Sequence, residues 1–340
     1  MQLFIKLKIL LILMKKYNWL YMMFMMMSSL FMIFLNNFYS MWVFMELNLL
    51  IFITLLILNS SFISDKSMKY YLMNSFSSMN FLFFFNLNLM MDSFYFLIII
   101  NFMMLMKLGM FPFHYWFIDM LVELNWDMYF FLISWQKLIP LLILNYCFNF
   151  NLLMIISLMG GIFSVMMIYN QILLKKIIGY SSINHMGWML MSLMMNFNLM
   201  MVYFLSYMLI NFSLIFILNK LNFIEINNLM IKFKGLQYYF IILMILLSLG
   251  GLPPLYGFYM KWFFIMEFSK VYNLLLLVLL ILYSLMFLFY YFRLIFNFTM
   301  LNFIMLNLFM FNKFIYSELN LNLLMFMSLF ITLNMYIFFM

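Results

Sequence analysis

The phrase Leu108-Gly109-Met110-Phe111-Pro112 recurs as Leu249-Gly250-Gly251-Leu252-Pro253, which Pro254 extends, and these copies hold three of the chain's four prolines. Both copies lie in strongly apolar stretches, and each has a lysine beside it, Lys107 or Lys261. Glycine and proline interrupt the hydrogen-bond ladder of a helix, and in lipid such a break persists only where protein or water satisfies the freed backbone groups. Two matching breaks, each with a charge, are typical of a transporter that is built from repeats and has its ion path near the membrane midplane.

The composition excludes a soluble fold. Hydrophobic residues make up 70% of the 340-residue chain and charged residues only 8%, against roughly 25% charged residues in soluble domains. The basic residues are scattered at the ends of apolar spans, so the net charge of +8 does not indicate nucleic-acid binding. Cys147 is the only cysteine, which excludes an internal disulfide and an iron–sulfur cluster held by cysteines of this chain.

Residue usage is skewed toward amino acids with A/T-rich codons. Phe, Ile, Leu, Met, Asn, Lys and Tyr dominate, alanine is absent, and Arg293 is the only arginine. An A/T-rich genome, such as an animal mitochondrial one, gives this pattern, and an A/T-rich bacterium would give it too. Without alanine, close packing of helices depends on glycine and serine.

The hydropathy pattern predicts an all-α polytopic membrane protein with about eleven transmembrane helices, because a spanning helix needs about 20 mainly apolar residues. No strand pattern and no linker rich in Pro, Gly or Ser occurs, so residues 1–340 are predicted to form a single transmembrane domain. Two helices are predicted to be broken, near 107–114 and 249–261, at Gly109, Pro112, Gly250, Gly251, Pro253 and Pro254. The spans are predicted near 20–38, 41–59, 70–88, 93–112, 128–147, 151–170, 178–196, 198–219, 237–257, 272–293 and 322–340.

The basic residues predict the orientation. If the spans alternate, 13 of the 17 basic residues fall on the N-terminal side, namely Lys6, Lys8, Lys15, Lys16, Lys66, Lys69, Lys175, Lys176, Lys220, Lys232, Lys234, Arg293 and Lys313. Positive charge collects on the negative side of a membrane. We therefore expect the N-terminus on the negative side and the C-terminus on the positive side.

Four ionisable residues fall within or against the apolar spans: Glu46, Lys107, Lys137 and Lys261. A lysine or an acid at mid-bilayer costs about 2.5–3.5 kcal/mol on insertion scales, so the four together cost on the order of 10 kcal/mol. Burial disfavours the charged form of lysine, whereas a nearby carboxylate favours it. A desolvated lysine with a movable acid partner loads and releases a proton near neutral pH, so these residues predict a proton relay linked by water.

Each of the four has a structural alternative. Lys107 and Lys137 would then be snorkelling anchors, and Glu46 an acid at the membrane interface. Lys261 would be the lysine end of a short aromatic belt with Trp262. We take the functional interpretation for all four.

The two histidines, His114 after the first break and His185 in the polar stretch 180–188, are possible relay residues. Each has an alternative as a hydrogen-bonded packing histidine, which we favour slightly. They are far apart in sequence and lack a partner at ligand spacing, so no metal site is predicted.

The remaining charged residues have structural interpretations. Asp119, Glu123 and Asp127 follow the first break at about helical spacing and predict a solvated helix end. Lys175 and Lys176 are interpreted as an anchor that fixes the topology. The sequence contains no Gly-rich nucleotide loop, no His-Glu-x-x-His and no pair of cysteines, so the chain is not expected to carry electrons itself.

Several blocks of sequence resemble one known family. They are 45–50, 106–117, 135–140 and 250–262, with support from 179–188. At these blocks the chain resembles the subunit 2 family of mitochondrial NADH dehydrogenase, the antiporter-like subunits of the membrane arm of respiratory complex I. The blocks run in family order and cover most of the chain, and the composition is similar to that of insect versions.

The resemblance implies an antiporter-like fold of two inverted repeats, each with a broken helix. It implies that Glu46, Lys107, Lys137 and Lys261 occupy the family's central polar axis, with the glutamate paired to the lysine of the first break. It also implies a proton-translocating subunit of NADH:ubiquinone oxidoreductase in the mitochondrial inner membrane, with the N-terminus toward the matrix and the C-terminus toward the intermembrane space. The chain departs from the family at Met260, usually proline, and at Asn184, usually alanine.

Cofactors and partners also follow from the resemblance. It implies that this chain holds no redox centre, and that NADH, FMN, iron–sulfur clusters and ubiquinone are bound by other subunits of the enzyme. The implied partners are other membrane-arm and accessory subunits of complex I and phospholipids, with no nucleic acid. Two alternatives stay open: a free-standing cation/proton antiporter of the related family, and a structural scaffold whose buried charges are relics.

Overall fold

A computed structural model describes residues 18–35, 37–59, 64–91, 94–147, 149–221, 236–271 and 274–308. The backbone of these residues forms thirteen α-helices and one short 3-10 turn, Met32–Phe34. The helices are α1 (Asn18–Phe31), α2 (Phe38–Asn59), α3 (Ser64–Met91), α4 (Phe94–Leu108), α5 (Tyr115–Glu123), α6 (Trp126–Ile133), α7 (Trp135–Cys147), α8 (Phe150–Ile168), α9 (Leu174–Met195), α10 (Phe197–Leu221), α11 (Leu236–Gly250), α12 (Tyr256–Val271) and α13 (Leu274–Leu308).

The predicted all-α polytopic membrane fold is confirmed. Ten of the predicted spans overlap helices, and the eleventh, 322–340, lies outside the described residues. Within the described part of the chain, five helical segments are long and apolar enough to cross a membrane: Phe38–Asn59, Trp126–Cys147, Phe150–Ile168, Phe197–Lys220 and Leu274–Phe296. Large apolar side chains on their outer faces are exposed, as expected of helices that face lipid.

The helices group into two compact units, Met1–Met201 with Leu218–Ile224 and Val202–Ile217 with Glu225–Met340. In the first unit, α9 packs on α8 and α5, and α4 packs on α3 and α7. In the second unit, α11, α12 and α13 pack on one another. The single domain over 1–340 and the inverted repeats stay predictions.

Helix α9 is buried along almost its whole length, and glycine makes this possible. A Cβ at Gly187 would lie 3.1 Å from the backbone oxygen of Ser157 in α8. A Cβ at Gly179 would lie 2.8 Å from Leu121 and 3.0 Å from Ile118, both in α5. In a chain without alanine, these glycines let the helices approach closely.

The first break ends α4 with a left-handed glycine. Gly109 has a φ of +66°, its N–H donates to the carbonyl of Met106 at 3.2 Å, and the next N–H, of Met110, donates to Leu105 at 3.1 Å. These two bonds form a Schellman motif, which satisfies carbonyls that a helix end leaves free. The indole N–H of Trp116 donates to the Met106 carbonyl as well, at 3.1 Å.

The second break has the same local structure. Gly251 has a φ of +89°, its N–H donates to Ser248 at 3.1 Å, and the N–H of Leu252 donates to Leu247 at 3.3 Å. The repeated phrase therefore encodes one way of ending a helix. A glycine takes the left-handed conformation, with positive φ, that other residues avoid, and the proline that follows cannot continue the helix.

We expect Gly109→Ala to destabilise the protein by more than about 2 kcal/mol, because alanine is strained at positive φ. In addition, the new Cβ would lie 2.6 Å from Cβ of Phe117. The matched control is Gly160→Ala, where the nearest atom to the new Cβ is the terminal methyl of Met110, at 3.3 Å, and alanine gains about 1 kcal/mol in helix propensity. The thermal unfolding midpoint of the purified protein in detergent checks both variants, and an equal fall in the two would contradict the expectation.

Candidate functional site

Lys137 is buried in the first unit, and no carboxylate among the described residues forms an ion pair with it. It lies in the first turn of α7 and is 2% exposed. Its ammonium donates to the hydroxyl of Ser182 in α9 at 3.1 Å and lies 4.6 Å from the ring centroid of Phe117 in α5. Among the described residues Ser182 is its only hydrogen-bond partner, so the charged form is held by one neutral hydroxyl and one aromatic face.

Lys107 lies at the end of α4, next to the first break, and is half-buried. Its ammonium is 3.5 Å from the sulfur of Met45 in α2. The carboxylate of Glu46, also in α2, accepts a hydrogen bond from Ser78 in α3 and attracts Lys107 through space. Of the described residues, none forms an ion pair of 4.0 Å or less with either group, and the direct pairing of Glu46 with Lys107 that the resemblance implies stays a prediction.

One cavity, of about 30 Å³, is lined by both lysines. Its uncharged polar lining is Asn48, Tyr70, Asn74 and Gln136. Apolar side chains such as Met45, Phe117 and Leu132 form other parts of the wall. A cavity of this size with several polar groups is suited to hold water, which buried polar groups bind.

The polar lining is organised around Gln136, the residue before Lys137. The amides of Gln136 and Asn48 bond reciprocally, at 3.2 and 3.4 Å. The hydroxyl of Tyr70 donates to the Gln136 oxygen at 3.4 Å, and the Gln136 amide nitrogen lies 3.2 Å from the sulfur of Met25. Groups that both donate and accept hydrogen bonds therefore lie on the cavity wall together with the two lysines.

Lys261, in the second unit, is 5% exposed and lies in α12. Its ammonium donates to the carbonyl of Gly250 at 2.9 Å, at the carboxyl end of α11. A Cβ at Gly251 would lie 3.0 Å from that nitrogen. The lysine therefore lies against the second break, where the helix dipole favours a cation.

The two histidines occupy different surroundings. His114 follows the first break, is 1% exposed, and lies among the rings of Phe111, Tyr115 and Phe163, the last two at centroid distances of 4.1 and 4.3 Å. His185 is 5% exposed and follows Ser182 by three residues on α9. Within the part of the chain that the structure describes, no group of three or more His, Cys, Asp or Glu residues is arranged to hold a metal.

The structure adds uncharged residues to the relay that the sequence predicted. Of the predicted relay residues, Glu46, Lys107 and Lys137 all belong to the first unit, and the latter two share a cavity. Asn48, Tyr70, Gln136 and Ser182 were not recognised from the sequence, because an uncharged polar residue in an apolar span is much less costly than a charge. Gln136 had one local signal, since it directly precedes a lysine within a span.

We expect Ser182→Ala to lower the free energy of unfolding by about 1–3 kcal/mol more than Ser181→Ala. Only the change at Ser182 removes the hydroxyl that accepts a hydrogen bond from the buried ammonium of Lys137. The two serines are otherwise matched, since both are buried on α9 and each donates to a carbonyl of its own helix, Gly179 or Ile178. Thermal unfolding of the two variants in detergent measures the difference, and equal midpoints would show that the contact with Lys137 adds no stability.

Comparisons with known proteins agree on one family. The family model "NADH:quinone oxidoreductase/Mrp antiporter, TM" matches residues 35–288. The NADH-ubiquinone oxidoreductase chain 2 of Anopheles gambiae is 34% identical over 276 residues, which cover 78% of this chain and 81% of that relative. The chain 2 of Locusta migratoria is 30% identical over 269 residues, which cover 75% of this chain and 78% of that relative.

Solved structures share the fold. A chain of respiratory complex I from Thermus thermophilus has a TM-score of 0.69 and 22% identity, over 76% of this chain and 65% of that one. A chain of the Mrp complex from Dietzia sp. has a TM-score of 0.66 and 13% identity, over 76% of this chain and 56% of that one. The chain thus spans about two thirds or less of these two longer chains.

Proposed function

The chain belongs to the NADH:quinone oxidoreductase/Mrp antiporter family of membrane proteins, and we propose that it is a proton-translocating membrane-arm subunit of NADH:ubiquinone oxidoreductase. The observation that carries the proposal is the cavity whose wall includes Lys107, Lys137 and uncharged polar groups. Relatives named NADH-ubiquinone oxidoreductase chain 2 match over more than three quarters of their length, which supports the same assignment.

In the proposed transfer, the proton moves from Lys107 to Lys137 across the cavity. Lys107 begins as an ammonium and ends as a neutral amine, while Lys137 gains the proton and becomes an ammonium. Water in the cavity, bonded to the amides of Asn48 and Gln136, carries the proton between them, because each water both accepts and donates a hydrogen bond. The ammonium formed on Lys137 is then held by Ser182 and the ring of Phe117.

Glu46 controls the first step of this proposal. With its carboxylate bonded to Ser78, Glu46 attracts Lys107 only through space, and it therefore holds the proton on Lys107 less strongly than a direct contact would. Movement of the carboxylate onto Lys107 would favour uptake, since an opposite charge nearby stabilises the ammonium. A change of charge at one end of the membrane arm, driven by redox chemistry in other subunits, would shift Glu46 between these partners.

Lys261 is proposed to continue the axis in the second of two inverted repeats. Its contact with the Gly250 carbonyl supports this role, because a lysine at a broken helix has a partner in both protonation states: the amine still has N–H groups to donate. His114 and His185 are proposed as secondary relay positions. The burial of His185 on α9, the helix that bears Ser182, supports its inclusion.

The cellular setting is part of the same proposal. The chain would lie in the mitochondrial inner membrane with its N-terminus toward the matrix and its C-terminus toward the intermembrane space. Its partners would be other membrane-arm and accessory subunits and the surrounding phospholipids. NADH, FMN, iron–sulfur clusters and ubiquinone would be bound by other subunits, and the residues described above would only move protons.

A free-standing cation/proton antiporter is the second candidate, favoured by the likeness in fold to a chain of an Mrp complex. Mild solubilisation of native membranes and purification of this chain separate the two. A membrane-arm subunit copurifies with flavin and iron–sulfur proteins in one large complex, whereas an antiporter purifies without them.

We expect Lys107→Met and Lys137→Met each to lower proton translocation by the assembled complex by about tenfold, equivalent to about 1.4 kcal/mol, because methionine has no proton to pass on. The matched control is Lys270→Met, since Lys270 is exposed and paired with the exposed Glu267, at 2.8 Å. The measurement is proton uptake or release per electron in vesicles that contain the complex. A normal ratio in Lys107→Met would refute Lys107 as an obligatory relay.

We expect Gln136→Leu to slow proton translocation by about tenfold, because leucine keeps the volume of the side chain but removes the amide that bonds Asn48 and Tyr70. Gln171→Leu is the control, since Gln171 lies in the connection between α8 and α9 and does not line the cavity. The two variants are compared by the rate of translocation per assembled complex. Equal rates would show that the polar lining takes no part in the transfer.

A further inference from the structure

Lys175, the second residue of α9 and one of the two lysines interpreted as a topology anchor, is only 8% exposed. Its ammonium donates to the carbonyl of Leu124 at 2.6 Å and to that of Val122 at 3.0 Å. These carbonyls lie at the carboxyl end of α5, where the chain leaves the helix at Leu124 in an extended conformation. The last carbonyls of a helix have no partner within it, and lysine supplies one here.

The segment after α5 holds Lys175 from two more sides. The ring centroid of Trp126 lies 5.5 Å from the ammonium, and the buried hydroxyl of Tyr129 donates to the backbone carbonyl of Lys175 at 2.7 Å. Glu123 adds a favourable electrostatic attraction from the end of α5. The neighbouring Lys176 is more exposed and makes none of these contacts, so the two lysines of the pair have different roles.

One face of α9 connects Lys175 to the proton site. Lys175, Gly179 and Ser182 are spaced i, i+4 and i+7, and such residues lie along one side of a helix. Lys175 bonds the end of α5, Gly179 lets Leu121 of α5 approach closely, and Ser182 accepts from Lys137. The same two helices therefore carry both contacts of the Lys137 ammonium, since Phe117 belongs to α5 and Ser182 to α9.

We propose that Lys175 is a positioning residue for Lys137. By bonding the free carbonyls of α5, Lys175 fixes that helix against α9 and so sets the distance between the ring of Phe117 and the hydroxyl of Ser182. Those two groups define the place and the stability of the ammonium on Lys137. The inference rests on the proposed function of Lys137 in proton transfer.

The test compares matched variants in the assembled complex, with proton translocation expressed per assembled complex. We expect Lys175→Met to lower translocation about tenfold, whereas Lys176→Met, which removes the same charge from the same side of the membrane, stays within about twofold of the natural protein. Lys175→Arg restores most of the rate, because a guanidinium has enough donors for both carbonyls.

Equal effects of Lys175→Met and Lys176→Met on translocation would overturn the proposal. It would also be overturned if Lys175→Met reduced the amount of assembled complex but left translocation per assembled complex unchanged. If Lys175→Met does not assemble, Tyr129→Phe decides, since it keeps the lysine and removes one bond to its carbonyl. Translocation per complex is expected to fall in that variant, and a normal rate would refute the positioning role. Lys137→Met is measured alongside: if it too leaves translocation unchanged, the proposed function fails and not only this inference.

Discussion

Every backbone carbonyl that a helix break frees inside an apolar protein needs a hydrogen-bond donor, and much of this structure follows from that requirement. At each of the two breaks a glycine at positive φ turns the chain back, so that two N–H groups bond the last carbonyls of the helix. Side chains satisfy further carbonyls: Trp116 bonds Met106, and Lys261 bonds Gly250. Lys175 does the same at the end of α5.

The same requirement explains why lysines are found beside the breaks. An ammonium in an apolar setting needs acceptors, and a broken helix offers carbonyls at the negative end of its dipole. Lys261 uses such a carbonyl directly. In the described part of the chain, Lys137 contacts a hydroxyl and an aromatic face, and Lys107 has a sulfur contact and a distant carboxylate. A cation held by neutral groups gives up its proton more readily than one in an ion pair, and this suits groups that take up and release protons.

The sequence predicted the fold where its signals were local. Long apolar runs predicted the spans, and the Leu-Gly-x-x-Pro phrase predicted the first break, because these features depend on residues that are neighbours along the chain. The acids Asp119, Glu123 and Asp127, interpreted as a solvated helix end, are exposed. The burial of Lys175 had no signal in the sequence, because it depends on carbonyls more than 50 positions earlier in the chain.

The sequence by itself determined that the chain is a helical membrane protein, where two of its helices break, and which ionisable residues fall within or against apolar stretches. Composition and hydropathy decide these points, because the cost of placing a polar group in lipid depends on the residue and not on its distant neighbours. Only the tertiary structure decided that Lys107 and Lys137 share a cavity with Asn48, Tyr70 and Gln136, and that Ser182 is the partner of Lys137. Those contacts join helices that are far apart along the chain, and the packing of whole helices, made close by glycines such as Gly179, brings them together.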